Sequence, residues 1–303
     1  MSLSQSTNHI LVLEPIEFRA NEQTKSTNSY QEENPDNIQK LQDIARAEFR
    51  GLRDMLVDHG VVVTTALGQI GCPDDIFCNN WVSTHLDENG ARHMVLYPML
   101  AQNRRPERRP DLLEWLGRSY ETALDLSAYE DRGQHLESTG SLVMDRVNKR
   151  AYCALSARSD DVLARKWCET MGYELIEFNT IGEDGIPVYH TDVLMYVGSG
   201  YVGICLECIL DEERDYVRKQ IESTHEIIEL SMEQMSNFAG NALEIVGESE
   251  RKYLAMSQAA LNSLNPGQKQ QISKYVHDVI SAPIPTIEKY GGGSVRCMLL
   301  ELH

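Results

Sequence analysis

Residues 188–206 read VYHTDVLMYVGSGYVGICL. Two apolar runs flank the turn Gly198-Ser199-Gly200, the pattern of a β-hairpin. Just ahead of the hairpin stands His190, a polar side chain where a core strand would take an apolar one. The same arrangement recurs outward in both directions. Hairpin patterns cover 85–97 (HLDENGARHMVLY), 142–155 (LVMDRVNKRAYCAL) and 243–256 (LEIVGESERKYLAM), and each follows a polar residue: Asn80, Glu137 and Asn241. The four polar positions lie 57, 53 and 51 residues apart, and a further step of 56 lands on Cys297 in GGGSVRC. A near-constant period of this length predicts five copies of one supersecondary unit. The fifth copy lacks half of its hairpin, and the strand HILVLEP at 9–15 is predicted to supply it, joining the two ends of the chain. The expected fold is α/β, a five-fold pseudosymmetric propeller closed by pairing of the N- and C-terminal strands. A closed ring leaves fewer exposed sheet edges than an open array. It would also bring Asn80, Glu137, His190, Asn241 and Cys297 to one central pocket.

Helical periodicity is predicted over 37–60, 110–123, 161–172 and 266–280, with Asn265 as N-cap and Pro266 at the first helical position of the last. Gly60 and Gly172 are natural stops. Residues 1–8 are expected to be disordered or tag-derived, and 9–303 to form a single catalytic domain. The chain has 303 residues, 42% hydrophobic and 24% charged, the balance of a globular protein. Its N-terminus lacks the basic and apolar regions of a signal peptide, so a cytoplasmic location is expected. Lys and Arg total 28 against 46 Asp and Glu, a formal charge of −18, which argues against nucleic acid as a partner. No apolar run is long enough to span a bilayer. The seven cysteines read as reduced thiols. Cys205 and Cys208 form a Cys-x-x-Cys pair, but no second ligand pair matches it, so neither metal nor other cofactor is expected.

A thiolate is a strong nucleophile, and a neighbouring histidine promotes its formation. Histidine also passes protons near neutrality, and a carboxylate beside it fixes the ring. Cys297, His190 and Glu137 at equivalent repeat positions therefore suggest nucleophilic catalysis. The motifs themselves resemble the guanidino-group-modifying superfamily of arginine deiminases, amidinotransferases and dimethylarginine hydrolases, whose fold is the pentein propeller. GGGSVRCM is similar to their glycine loop and cysteine, YHTDV to their histidine segment, LESTGSLVMD to their glutamate segment, and LSARSD to a substrate-binding arginine segment. The resemblance implies that Cys297 attacks the planar carbon of a guanidino or ureido group, while His190 acts as acid and then base. It implies that Glu137 pairs with His190, that Asp192 grips the substrate nitrogens, and that Arg158 binds the α-carboxylate. Arg104, Arg105 or Arg108 would assist.

Arginine deiminases carry an aspartate where this chain has Asn80. An amide both donates and accepts, so it also suits a carbonyl oxygen. This pattern, with FRANEQTKSTNSYQ and its Asn21 as a substrate contact, resembles the subgroup that takes arginine or citrulline through to ornithine. Asn241 joins the substrate-binding set. The expected function is a cysteine-dependent hydrolase of arginine- or citrulline-type amino acids that releases ammonia. An amidinotransferase or arginine deiminase with the same apparatus, and a non-catalytic binding propeller, stay open. The expected partner is a small amino-acid substrate, with no membrane, and a homo-oligomer is allowed.

Overall fold

The structure, a computed structural model, describes residues 3–35, 37–183 and 185–303. Fifteen strands among these residues form five sheets of three. In four of them an antiparallel hairpin is followed by a helical or turn segment and then a strand parallel to the second. The first is β3 (Val82–Leu86), β4 (Arg92–Leu96) and β5 (Glu121–Asp125). The second is β6 (Val143–Asp145), β7 (Arg150–Ala154) and β8 (Glu174–Phe178). Then come β9 (Met195–Val197), β10 (Tyr201–Ile204) and β11 (Glu226–Glu229). The fourth holds β12 (Leu243–Val246), β13 (Lys252–Ser257) and β14 (Asp278–Ala282).

The fifth sheet draws on both ends of the chain, as its truncated repeat predicts. β1 (His9–Glu14) pairs antiparallel with β15 (Leu300–Glu301) and parallel with β2 (Val62–Leu67). The helix Ile38–Asp58 makes that parallel crossover. The Asn37 side chain accepts from the Lys40 N–H at its start, and Leu41, Ala45, Phe49, Leu52 and Leu56 are buried along one face. The helix Asp161–Met171 is capped by Asp160 and ends at Gly172, whose φ of 71° is left-handed. The helix Pro266–Ile272 has Asn265 as its N-cap, as expected, within a capping box in which Asn265 and Gln268 bond each other's backbone.

Three expectations need correction. The helix predicted over 110–123 covers Pro110–Gly117 and gives way to β5, and that predicted over 266–280 stops at Ile272 before β14. Parallel pairing with the hairpin strand claims both segments. Residues 3–8 are not a disordered leader. Gln5 donates to the carbonyls of Met144 and Val197 and accepts from the Arg146 N–H. Ser6 bonds Glu244, and Thr7 bonds the Leu302 carbonyl. Four sheets are thus tied together by this segment. Residues 1 and 2 lie outside the described residues.

All seven cysteines are free and buried, Cys205 and Cys208 among them. Among the described residues no helix is long and apolar enough to cross a membrane.

Candidate active site

Each of the five residues at the repeat positions sits in or beside a short turn that leads into the strand after it. Asn80 ends the turn 78–80 before β3, and Glu137 precedes 138–141 and β6. His190 precedes 191–194 and β9, Asn241 stands two residues before β12, and Cys297 lies in the turn 295–298 before β15. All five are buried. Gly140 shows how tightly the turns converge: a Cβ there would lie 2.5 Å from Asn80 Nδ2 and 2.8 Å from His190 Nδ1. Only glycine admits such an approach.

The imidazole and the carboxylate are joined, with His190 Nε2 2.8 Å from Glu137 Oε2. The Leu100 N–H donates to the other oxygen at 3.0 Å, and Arg158 Nη1 stands 3.6 Å from Oε2. Burial would raise the Glu137 carboxyl, but Arg158 and the bond to His190 outweigh it and hold the group well below the usual carboxylate range. Glu137 is therefore ionised, as a partner for an imidazolium must be.

Cys297 has different company. Asn241 Nδ2 reaches its sulfur at 3.2 Å, and the thiol lies 3.5 Å from Asp192 Oδ2. The same carboxylate oxygen accepts from Asn79 Nδ2 at 3.0 Å. Burial, reinforced by Asp192, pushes the thiol up, against the Ser294 backbone, Asn241 and Arg296. Burial likewise raises Asp192. Sulfur and carboxylate thus share a desolvated corner in which Arg296 favours the ionised form of both without overcoming burial.

Cys297 and His190 line one small cavity with Asn80, Asp74, Arg104, Arg158, Asn28, Phe77, Tyr189 and Gly291 to Gly293. Its volume is about 10 Å³, room for roughly one water. The site is shut. Its cover is the glycine loop, whose Gly292 carbonyl accepts from Tyr189 Oη at 2.6 Å and from Asn28 Nδ2 at 3.0 Å. Gly292 has a left-handed φ of 65°, and a Cβ on it would strike the Asn28 amide.

Of the three arginines left open by sequence, Arg104 faces the cavity. It pairs with Glu107 at 2.8 Å and donates to Asn80 Oδ1 at 2.8 Å. Arg105 and Arg108 turn to Glu130 instead. Arg158 stacks over Tyr189 at 4.9 Å and donates to Thr27 Oγ1 at 2.8 Å. Asn21 is one step removed from the cavity wall: its amide donates to Asp74 Oδ2 at 2.8 Å and exchanges bonds with Asn103. Asn241 likewise contacts the sulfur and the Asp192 carbonyl and is absent from the cavity lining. Asp74, Asn79, Asn28 and Tyr189 were missed. Only Asn79 and Tyr189, each adjacent to a repeat position, carried a signal that could have found them.

A family profile described as N,N dimethylarginine dimethylhydrolase, eukaryotic, matches residues 14–303. The chain belongs to this family. Membership in the dimethylarginine dimethylhydrolase family makes the protein a hydrolase of C–N bonds in guanidino compounds. No curated protein matches the chain. Solved structures do. The N-terminal domain of ArgZ bound to substrate, an arginine dihydrolase from the ornithine-ammonia cycle in cyanobacteria, is 18% identical over 97% of both chains, with a TM-score of 0.75. AgrE in complex with L-arginine is 20% identical, with a TM-score of 0.76, over 97% of this chain and 40% of its own. A dimethylarginine dimethylaminohydrolase adduct with 4-chloro-2-hydroxymethylpyridine gives 18% and 0.60 over 97% of this chain and 99% of that one. At these identities the likeness establishes the shared pentein-type α/β fold of the dimethylarginine dimethylhydrolase family.

Proposed function

We propose that this protein is a cysteine-dependent hydrolase that opens the guanidino or ureido carbon of arginine- or citrulline-type amino acids, with citrulline-type substrates carried through to ornithine. The observation that carries the choice is the orientation of Asn80. Its Oδ1 is occupied by Arg104, which leaves the Nδ2 face toward Glu137 and the cavity, with only a 3.5 Å contact to the Glu137 carbonyl. A donor at that position suits a substrate carbonyl oxygen; a carboxylate would suit a guanidinium N–H.

In this reading the five sheets are blades of a closed ring, supported by the β1–β15 pairing, and 9–303 works as one catalytic unit. Cys297 is the nucleophile. A ureido or guanidino N–H of the substrate settles against Asp192, the thiol passes its proton to His190, and the sulfur attacks the planar carbon. His190, held by Glu137, protonates the departing nitrogen as ammonia. The imidazole then removes a proton from water, which attacks the covalent adduct and returns the sulfur. On a ureido carbon the product is a carbamate that falls apart to an amine and carbon dioxide. Arg158, Arg104 and Asp74 form a charged end of the site for the substrate's α-carboxylate and α-ammonium.

The test is to incubate the protein separately with arginine, citrulline and N,N-dimethylarginine while measuring ammonia, ornithine, citrulline and dimethylamine. Ornithine and ammonia from citrulline are expected. A second reading, favoured by the family match, is hydrolysis of dimethylarginine. Dimethylamine release with no turnover of citrulline would establish it in place of the first. Transfer of an amidino group to an added amine would identify an amidinotransferase.

A further inference from the structure

We propose that the free edge of β2 is a docking surface for the same strand of a second copy of this chain, so that two three-stranded sheets join into one of six strands across a two-fold axis. Each sheet ends on an outer strand with a single neighbour among the described residues: β2, β5, β8, β11 and β14. An open edge of this kind invites another strand, and a charge placed on it keeps that strand away. β5, β8, β11 and β14 all begin on a carboxylate: Glu121, Glu174, Glu226 and Asp278. Glu174 and Glu226 are ion-paired, yet a docking strand would still have to strip water from each pair. β2 breaks the series. It reads VVTTAL, and Val62 stands where the others have the acid.

Side chains and backbone at this edge are both open. Four of the eleven large apolar side chains that stand exposed among the described residues fall between positions 57 and 70: Val57 at 51%, Val62 at 50%, Leu67 at 61% and Ile70 at 78%. The Val62 N–H donates to the Asn8 carbonyl and the Gly68 N–H to the Glu14 carbonyl. Alternate residues of a strand bond opposite sides, so 62, 64 and 66 serve β1 while 63, 65 and 67 turn N–H and C=O outward. The Leu67 carbonyl is taken by Arg109. The outward groups of Val63 and Thr65 have no partner among the described residues.

Charge selects the occupant. On a chain of net charge −18 a second copy is repelled over most of the surface, and four of the five sheet edges carry acid. The uncharged edge that this protein offers to β2 is β2 itself. Antiparallel pairing that sets Val63 opposite the partner's Thr65 uses the free groups of both residues and leaves the Arg109 bond intact. Thr64 then faces its own copy on the axis in a non-hydrogen-bonded pair, and Val62 faces the partner's Ala66. A Thr–Thr pair is among the favourable cross-strand combinations. Such an interface is self-complementary and closes at two. Two short strands bury little area, so the dimer is a reversible one. Because β1 lies between β2 and β15, the partner also braces the sheet that joins both ends of the described chain.

The experiment is sedimentation velocity on the full chain over roughly 1 to 100 µM, together with two cysteine variants. The expected result is a monomer–dimer equilibrium with Kd on the order of 10 µM. Thr65→Glu gives β2 the charge that the other edges carry and should weaken the dimer about tenfold or more, with turnover unchanged. Thr64→Cys should link two copies through a disulfide on mild oxidation by glutathione disulfide, since the axial pair brings its Cα atoms to about 4.5 Å. Val62→Cys, opposite the partner's Ala66, should not. The seven native cysteines are buried, and the parent protein measures any background from them. A protein that stays monomeric up to about 100 µM overturns the proposal. So does a dimer that Thr65→Glu leaves intact, or one that Val62→Cys links and Thr64→Cys does not. Species larger than the dimer would mean a head-to-tail contact in place of the two-fold pairing and overturn it as well. None of these outcomes depends on which substrate the enzyme hydrolyses.

Discussion

The sulfur of Cys297 is buried, and Asp192 beside it adds to burial in favouring the protonated thiol. Replacing it by serine leaves the packing nearly unchanged and removes a group that ionises far more readily than a hydroxyl. Cys297→Ser is expected to lower kcat by at least about a thousandfold, with an unchanged circular dichroism spectrum; a rate within tenfold of the parent would remove the thiol from the mechanism. Asn80→Asp places a carboxylate against Arg104 and turns a donor into an acceptor. The expected outcome is a shift in kcat/KM of about tenfold or more from ureido toward guanidinium substrates, read by comparing citrulline with arginine. Equal losses on both would discard the role given to the amide. These residues were legible because the repeat marks them independently of any one motif. Asp74 and Asn28 were not, since each comes from a loop whose position at the axis depends on remote contacts, Asp74 with Asn21 and Asn28 with Gly292.

The loop Gly291–Gly293 and residues 24–28 meet at the cavity through the Asn28–Gly292 bond, and Tyr189 joins them through its hydroxyl. Removing that hydroxyl takes away one hydrogen bond, worth about 1 kcal/mol. Tyr189→Phe is therefore expected to raise the rate of Cys297 alkylation about fivefold in the substrate-free enzyme. An unchanged rate would mean that the loop opens without breaking this contact. The hairpins were easy to read because β-turn residues separate two apolar runs. The outer strands were not. β5 (ETALD) is short, acidic and largely exposed, β11 (EIIE) is short and acidic with only Ile228 buried, and β14 follows directly on a helical pattern. Their identity comes from pairing with β4, β10 and β13, which a local pattern does not contain. The helix Asp211–Glu222 escaped notice for a related reason: its sequence DEERDYVRKQIE buries only Val217 and Ile221.

Across the whole molecule, the sheet that joins the two ends of the described chain rests on a short strand and a few buried charges. Burial would raise Glu301, but Arg146 and Arg296 overcome it and hold the carboxyl well below its ordinary value. Glu137 is depressed in the same sense. Both groups titrate near 4.5 in the unfolded chain. Each therefore adds stability that is fully present above that pH and is lost as the pH falls toward the folded-state value. Urea unfolding should show a steep loss of stability below about pH 5. Glu301→Gln should cost about 3–5 kcal/mol at pH 7 and flatten that acid limb; a variant with parental stability at both pH values would show that the buried pairs contribute nothing net. The five-unit plan was readable from spacing alone, whereas the clamp made by residues 3–8 was not, because Gln5 and Ser6 look like any polar leader until their partners on distant strands are known. The β1–β15 pairing joins Ile10 to Glu301, 291 positions apart, so this sheet assembles only after a very long stretch of chain has been drawn together, a late and slow event in folding.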